Sequence, residues 1–450
     1  MFKASDFGPD FLWGVATAAP QIEGASNTYG KGASIWDTFA KRTGKIKKGH
    51  QLDVACDFYH RYREDIALVK TLGFTVFRFS ISWSRVLPLG KGPINEEGIR
   101  FYHNVIDECL SQGLIPYVTL YHWDLPEALS QLGGWTVFSI NADFNEFVML
   151  CAKTYGDKVK NWIIINEPFG FTSLGYMLGV HAPGETGLTN FLAAAQHTAI
   201  AQADGGHILR AEVPNARIGT TFSCSEIIPY TSGANDLLAA KRVDCLMNRL
   251  FIEPALGMGF PTADWDVLEK FAVSHSTWRH VKRMTFDFDF IGLQNYFPLV
   301  IRYNAFIPVV QAWEVKAKNR NKPHTAMGWE INADSFYNII KQFASYSKVK
   351  EIIITENGAA FNDKLTNGHI HDEDRIAFFK LYLAALLKAK NEGINITGYM
   401  VWTLMDNFEW AEGYQARFGI VHNDFKTQQR SIKDSGYWWQ QFLGAQPRLL

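Results

Sequence analysis

The chain has 450 residues, of which 47% are hydrophobic and 20% charged, and a formal net charge of −1. A charge this close to neutral argues against a nucleic acid or an anionic membrane surface as the partner. The five cysteines form no CxxC pair, and we find no signal-peptide pattern and no apolar run of ~18 residues. We therefore expect a cytoplasmic protein without a membrane span, a zinc site or a disulfide framework.

Short runs rich in β-branched and aromatic residues alternate with longer segments of helical periodicity. In chain order, the predicted strands are Phe11–Ala16, Thr75–Ser80, Ile115–Leu120, Trp162–Ile165, Ile218–Phe222, Phe288–Leu293, Glu351–Thr355 and Gly398–Trp402. The helical segments between them include Ala55–Leu72, Ile99–Gln112, Phe144–Tyr155 and Glu373–Asn391. Strands separated by helices predict a parallel sheet, and eight of them favour a closed (β/α)8 TIM barrel. No linker or repeat divides the chain, so we expect residues 1–450 to form a single domain.

Two segments rich in glycine, proline and aromatic residues follow the fourth and sixth predicted strands. They are Gly170–Thr189 and Val300–Asn332. Loops that follow barrel strands lie at the carboxyl face, where barrel enzymes build their sites. We expect these two segments to be long loops that deepen a pocket at this face.

Two glutamates follow strands of the predicted barrel. Glu167 comes directly after the fourth strand and Glu356 directly after the seventh. A carboxylate at the mouth of a barrel is costly unless it is hydrogen-bonded, paired or used. Either glutamate alone could cap a helix or pair with an arginine, but two at equivalent strand ends favour paired carboxylate chemistry. Retaining glycosidases need ~5–5.5 Å between such carboxyl groups, and inverting ones need ~6.5–9.5 Å.

One segment has the composition of a metal site but is better explained as the start of a helix. It contains His369, His371, Asp372, Glu373 and Asp374. Asp372 directly precedes the predicted helix Glu373–Asn391, and an N-cap aspartate followed by acidic residues stabilises a helix N-terminus. We therefore predict no metal there.

Short motifs along nearly the whole chain resemble those of family 1 glycoside hydrolases. Any one of them is weakly specific, whereas all of them in this order are very specific. The motifs are Phe11–Ala18, Gln21–Gly24, Ser34–Asp37, Gly73–Phe74, Phe77–Arg85, Tyr121–Pro126, Asn166–Pro168, Asn295–Tyr296, Thr355–Gly358, Asp406–Trp410 and Arg417–Ile420.

The resemblance implies a retaining (β/α)8 hydrolase of β-glucosides and related sugars, without a metal or organic cofactor. It implies that Glu167 is the general acid/base and Glu356 the nucleophile. Arg78 would support the nucleophile, with Asn295 and Tyr296 beside it. The side chains expected to contact the substrate are Gln21, His122, Trp123, Asn166, Asn295, Tyr296, Trp402, Glu409, Trp410 and Phe418, and Trp329 matches a family tryptophan on the leaving-group side.

The two catalytic roles require different ionisation states. A nucleophile must be ionised, and we expect Arg78 and a tyrosine hydroxyl to lower the pKa of Glu356. An acid must begin protonated, and we expect repulsion from Glu356 to raise the pKa of Glu167. When Glu356 becomes an ester its charge disappears, so Glu167 then loses its proton more readily and acts as a base.

The departures from the family pattern concern the leaving group. Many family members carry an asparagine after the fifth strand, where this chain has Thr221-Phe222-Ser223-Cys224. This difference puts the leaving-group preference in doubt and leaves the catalytic pair unchanged.

The leading hypothesis is an exo-acting β-glucosidase with β-fucosidase and β-galactosidase side activity, which suits a role in cellulose degradation. Its partners would be small oligosaccharides or aryl and alkyl β-glycosides, and assembly into a homo-oligomer stays open. A 6-phospho-β-glycosidase is the nearest alternative. Its members usually carry a serine, with a lysine and tyrosine nearby, where this chain has Glu409, and an ionised carboxylate there repels a phosphate. A catalytically inactive sugar-binding homologue is disfavoured because both glutamates are present.

Overall fold

Eight parallel strands close into a barrel in the computed structural model, which describes residues 2–262, 265, 268 and 282–444. We number the barrel strands in chain order: β1 Leu12–Ala16, β2 Val76–Ser80, β3 Ile115–Tyr121, β4 Asn161–Asn166, β5 Arg217–Ser223, β6 Phe290–Gln294, β7 Ile352–Asn357 and β8 Ile396–Trp402. Each strand pairs with its neighbours in sequence, and β8 pairs with β1 to close the barrel. The predicted (β/α)8 barrel is confirmed, and the predicted strand bounds lie within two residues of the observed ones.

Helices connect the strands and cover the outside of the barrel. The longer helices are Phe58–Thr71, Glu96–Ser111, Ile140–Tyr155, Leu188–Glu212, Ala234–Asp244, Ala333–Ala344, Glu373–Asn391 and Asp434–Phe442. The shorter ones are Ala19–Ile22, Ile35–Phe39, Trp83–Val86, Glu127–Ser130, Pro168–Thr172 and Ile252–Ala255. No helix in the described part of the chain is long and apolar enough to cross a membrane.

Alternation along the strands separates two cores. In β4, Ile163 belongs to the cluster inside the barrel, whereas Trp162 and Ile164 pack outward against the helices. Both faces of a parallel barrel strand are covered, which explains why β4 is apolar at successive positions. The inner cluster continues upward to Trp402 and Phe418 at the carboxyl face, so the packing of the barrel also supports the walls of the site.

The two segments expected to be long loops contain secondary structure that the sequence did not predict. Gly170–Thr189 overlaps the helix Pro168–Thr172 and a π-helical turn at Ser173–Met177. Val300–Asn332 overlaps two strands, Leu299–Tyr303 and Ala312–Glu314, which join Ile227–Pro229 in a small separate sheet. These strands are three to five residues long, too short for a distinct periodic signal.

Asp372 lies at the N-cap position of Glu373–Asn391, as predicted, but its side chain does not cap the helix. Its carboxylate instead pairs with the buried guanidinium of Arg375 and accepts a hydrogen bond from the backbone N of Ser435 at 2.8 Å. A buried guanidinium is a stronger partner for a carboxylate than a neutral backbone amide. The acidic first turn, with Glu373 and Asp374, is present as expected.

Candidate active site

The ends of β4 and β7 bring the two predicted glutamates to the mouth of the barrel. Glu167 follows β4 directly and has a left-handed backbone conformation, with φ 45°, at the start of Pro168–Thr172. Glu356 is the penultimate residue of β7. Both side chains are buried, with 8% and 3% of the residue exposed. The site residues therefore stand on the rigid ends of strands.

Both carboxylate oxygens of Glu356 are hydrogen-bonded. Its Oε1 atom accepts from Arg78 Nη1 at 2.6 Å and from Gln294 Nε2 at 2.7 Å. Its Oε2 atom accepts from the Tyr296 hydroxyl at 2.7 Å. Arg78 is fully buried and is itself held by the Thr355 carbonyl and the Thr119 hydroxyl, each at 3.1 Å. The carboxylate is thus held in one orientation by three donors.

The expected lowering of the pKa of Glu356 is wrong in its net direction. Burial raises this pKa, and the opposing charge of Arg78 and hydrogen bond from Tyr296 offset the rise only in part. The expectation for Glu167 agrees with the structure: burial, followed by repulsion from Glu356, raises its pKa well above the ordinary value, against a hydrogen bond with Ser223. The structure shows no comparable set of donors around the Glu167 carboxyl group, so burial of its charge is less compensated than that of Glu356.

Gln294 is a site residue that the sequence did not single out. The family resemblance points to Asn295, but the Nδ2 atom of Asn295 donates to the backbone O of Cys224 at 2.8 Å, not to Glu356. Period-two alternation could have revealed the difference, because Phe290 lies in the inner cluster and Gln294 shares its face of β6. The backbone N–H of Asn295 donates to the carbonyl of Glu356 at 3.3 Å, so Asn295 lies beside Glu356, but its side-chain amide makes no hydrogen bond to the Glu356 carboxylate.

Asn166 links the donors around Glu356 to a buried histidine. Its Oδ1 atom accepts from Gln294 Nε2 at 2.7 Å, from the Thr221 hydroxyl at 3.1 Å and from Arg78 Nη2. Its Nδ2 atom lies 2.9 Å from Nε2 of His122. Burial, and then the charge of Arg78, lower the pKa of His122 well below its usual value, so this imidazole is neutral.

Polar groups suited to sugar hydroxyls come from the segments that follow β1, β3 and β8. Gln21 Nε2 donates to the carbonyl of Phe408 at 2.8 Å and to Glu409 Oε2 at 3.4 Å. Gln21 Oε1 and His122 Nδ1 are buried and have no hydrogen-bond partner among the described residues. Burial, and then repulsion from Glu356, raise the pKa of Glu409 to about 8. A hydroxyl-rich ligand would satisfy these groups.

Aromatic side chains line the candidate site on two sides. Trp123 and Trp410 stack with centroids 4.7 Å apart, and the His122 ring lies 6.1 Å from Trp402. On the other side, Trp329 stacks on Phe297 at 4.7 Å and lies 5.8 Å from Phe418 and 5.4 Å from Tyr296. All the predicted aromatic residues therefore belong to one of these two groups.

A buried ionic network anchors the loop that carries Glu409. Asp406, fully buried, accepts from Lys433 Nζ at 2.7 Å, from Arg417 Nη1 at 2.9 Å and from the backbone N of Gly419 at 3.0 Å. Lys433 also pairs with Asp363. Burial would raise the pKa of Asp406, but Lys433 and Arg417 hold it below its usual value. The loop therefore depends on the buried charges of Asp406 and Lys433, with the partly exposed Arg417 as a further partner.

Comparisons with known proteins show the family to which this chain belongs. The sequence profile of Glycosyl hydrolase family 1 matches residues 3–447. β-Glucosidase A of Thermotoga maritima is 40% identical to this chain over 438 residues, which cover 96% of each protein. The 1,4-β-D-glucan glucohydrolase of Thermotoga neapolitana is 38% identical over 442 residues, which cover 97% of this chain and 98% of that protein. A solved structure of the family 1 β-glucosidase from Thermotoga maritima is similar to this one, with a TM-score of 0.93 at 39% identity over 97% of each chain. The complex of the T. maritima β-glucosidase with deoxynojirimycin also has a TM-score of 0.93 at 39% identity, over 97% of this chain and 98% of that one.

Proposed function

We propose that this chain, which belongs to glycosyl hydrolase family 1, is a retaining exo-β-glucosidase with Glu167 as acid/base and Glu356 as nucleophile. The observation that carries the proposal is the unequal environment of the two carboxyl groups. Glu356 is held by Arg78, Gln294 and Tyr296, whereas Glu167 is buried with its pKa raised well above the ordinary value. Two carboxyl groups in such unequal environments suit a division of roles between an acid and a nucleophile.

In the first step, a carboxylate oxygen of Glu356 attacks the anomeric carbon as the bond from that carbon to the leaving oxygen breaks. The proton of Glu167 passes to this oxygen, so the aglycone departs as a neutral alcohol. The product is an ester between Glu356 and the sugar. Glu167 is left as a carboxylate, which is tolerated because the charge of Glu356 has gone.

In the second step, Glu167 takes a proton from water and the oxygen of that water attacks the anomeric carbon. The ester bond to Glu356 breaks, and the bonding electrons return to its carboxylate. Two inversions at one carbon restore the original configuration. Glu167 ends protonated and Glu356 ionised, as at the start.

Sugar recognition is proposed to use the unsatisfied polar groups of the pocket. Gln21 Oε1, His122 Nδ1 and the Glu409 carboxyl would bind hydroxyls of the terminal sugar, and Trp402 and Trp410 would border the ring. Trp329, supported by Phe297 and Phe418, would stack on the leaving group. Ring faces of this kind suit the C–H faces of sugars.

The finer features of the function are also proposals. Side activity on β-fucosides and β-galactosides is proposed because the Glu409 carboxyl has two oxygens that can follow either orientation of a 4-hydroxyl. A role on short cello-oligosaccharides is supported by the 38% identity to the 1,4-β-D-glucan glucohydrolase of Thermotoga neapolitana. A reducing cytoplasm is supported by the five buried cysteines, which form no disulfide. We also propose that residues 1–450 act as one catalytic domain.

The test of the nucleophile is Glu356→Gly. We expect a folded protein with negligible hydrolysis of p-nitrophenyl β-glucoside, because the first step has lost its attacking carboxylate. Azide should restore turnover by occupying the vacated space, and it should release an α-glucosyl azide, since a single displacement inverts the anomeric carbon. Near-normal activity without azide, or a β-azide product, contradicts the assignment.

The test of the acid is Glu167→Gln, which removes the proton source but leaves Glu356 in place. Poor leaving groups need protonation more than good ones do, so the first step should slow severely for alkyl glucosides and little for dinitrophenyl glucosides. Single-turnover measurements on both substrates separate this step from the second. Equal losses on the two substrates would rule out the acid role.

A further inference from the structure

Gln294 has contacts that no motif in the sequence predicts. Its Nε2 atom lies 2.7 Å from Glu356 Oε1 and 2.7 Å from Asn166 Oδ1. The residue is 1% exposed, so neither bond competes with bulk water. An amide nitrogen has two N–H donors and can serve two acceptors. One side chain on β6 therefore ties the end of β7 to the end of β4.

The contacts of Gln294 extend to the buried histidine through Asn166. Asn166 Oδ1 faces donors from Arg78, Thr221 and Gln294, which identifies this atom as the amide oxygen. The amide nitrogen therefore faces His122 and donates to its Nε2 at 2.9 Å. Because the imidazole is neutral, its proton lies on Nδ1, which has no partner among the described residues. Gln294 thus contacts the proposed nucleophile directly and, through Asn166, influences His122, a side chain proposed to bind the sugar.

We propose that Gln294 is a positioning residue of the double displacement and that it acts most strongly when Glu356 leaves the glycosyl-enzyme. The inference rests on the proposed role of Glu356. In the second step the ester becomes a carboxylate, and the charge develops on oxygens that already face their donors. A hydrogen bond to a carboxylate is stronger than one to a neutral ester, so the Gln294 N–H stabilises this departure.

The first step depends on Gln294 in the opposite sense. There the carboxylate loses charge as it attacks, so its bond to Gln294 weakens on the way to the transition state. Without that bond Glu356 becomes more basic, and the gain in nucleophilicity offsets part of the loss of orientation. Removal of the donor should therefore slow the second step much more than the first, and the glycosyl-enzyme should accumulate.

The experiment uses Gln294→Met, a side chain of similar length without a donor, and 2,4-dinitrophenyl β-glucoside, whose leaving group makes the first step fast. We expect kcat to fall ~10- to 100-fold, the change that follows the loss of a hydrogen bond to a charged group. KM should fall with kcat, and rapid mixing should show a burst of dinitrophenolate equal to the enzyme concentration. The acidic limb of the pH profile of kcat/KM should move to higher pH, because Glu356 loses a donor that favours its charged form.

Thr221→Val is the matched control. Thr221 donates to Asn166 Oδ1 but makes no hydrogen bond to Glu356, so the burst and the acidic limb of this variant should match those of the wild type. If circular dichroism shows that Gln294→Met does not fold, Gln294→Asn replaces it. It keeps the amide but is one methylene too short for both acceptors, and we expect the same direction of change.

Two results would overturn the inference. One is a folded Gln294 variant whose kcat, burst and acidic limb all match those of the wild type, which would make Gln294 a packing residue. The other is an equal burst in Thr221→Val, which would place the effect in Asn166. Failure of azide to restore the activity of Glu356→Gly would refute the proposed function itself. If azide restores that activity but the Gln294 variant behaves like the wild type, only this inference is refuted.

Discussion

Glu409 should make the choice between a glucoside and its 6-phosphate depend on pH. Burial, and then repulsion from Glu356, raise the pKa of Glu409 to about 8. At pH 7 roughly one molecule in ten therefore carries a charged Glu409. The sequence leads us to expect an ionised carboxylate that repels a phosphate at neutral pH, and the structure corrects that expectation. The negative charge is present above the raised pKa and is lost as the pH falls through it.

The size of the effect follows from this titration. An ionised carboxylate ~4 Å from a charged phosphate, at an effective dielectric of ~20, costs about 4 kcal/mol, or ~10³-fold in kcat/KM. Turnover of the 6-phosphate thus depends on the protonated fraction of Glu409, which falls about tenfold between pH 7 and 9 when the pKa is about 8. The phosphate has its second pKa near ~6 and stays dianionic over this range. We expect the preference for the plain glucoside to rise about tenfold.

The assay is the ratio of kcat/KM for p-nitrophenyl β-glucoside over its 6-phosphate, measured at several pH values from 7 to 9. Titration of Glu167 and Glu356 in the free enzyme affects both substrates alike, so it cancels in the ratio. In Glu409→Ser the ratio should be smaller and independent of pH, and activity on the plain glucoside should fall. A wild-type ratio that stays flat refutes the role given to Glu409. A wild type that prefers the 6-phosphate at every pH favours the alternative function.

Two further predictions concern Trp329, which is proposed to stack on the leaving group, and the buried ion pairs of Lys433. Trp329→Ala should raise KM for p-nitrophenyl β-glucoside ~5- to 10-fold through loss of stacking. KM for β-glucosyl fluoride, which has no aglycone ring, should not change. An equal rise of KM for the two substrates contradicts a leaving-group role for Trp329. Lys433→Met should lower the free energy of unfolding by about 3–5 kcal/mol, because Asp363 and Asp406 lose a buried cation. Urea unfolding measures this loss, the exposed Lys426→Met serves as the control, and equal stability of the two variants would contradict the interpretation.

The barrel could be predicted because each strand is a short apolar run bounded by helices of distinct periodicity. The carboxyl-end placement of Glu167 and Glu356 followed from those runs, since a residue just after a parallel strand lies at the mouth. Gln294 was missed because the neighbouring Asn295 carries the family motif, and only the phase of β6, set by Phe290 in the barrel interior, shows which of the two faces the nucleophile. The direction in which the pKa of Glu356 shifts could not be predicted from the sequence either, because it depends on how far the effect of burial exceeds the effect of the Arg78 charge.

The small sheet made by Ile227–Pro229, Leu299–Tyr303 and Ala312–Glu314 was not predicted because strands of three to five residues have no resolvable period. The side chain of Asp372 could not be assigned either. Its choice of Arg375 and Ser435 over the helix N-terminus requires a contact with residue 435, far away in the chain. The two failures differ in origin: the strands of the small sheet are too short for a periodic signal, whereas a partner distant in the chain decides the geometry of Asp372.

The contacts of Arg78 have a consequence for how the protein refolds. This residue on β2 touches Glu356, 278 positions away, and Asn166, 88 positions away. Contacts of such long sequence separation form slowly, because the entropy of closing the intervening chain must be overcome first. Helices can therefore reform early in refolding, before the contact between Arg78 and Glu356 has formed. Recovery of hydrolysis after dilution from denaturant then reports the late pairing of distant strands, and helix content measured in parallel would return ahead of it.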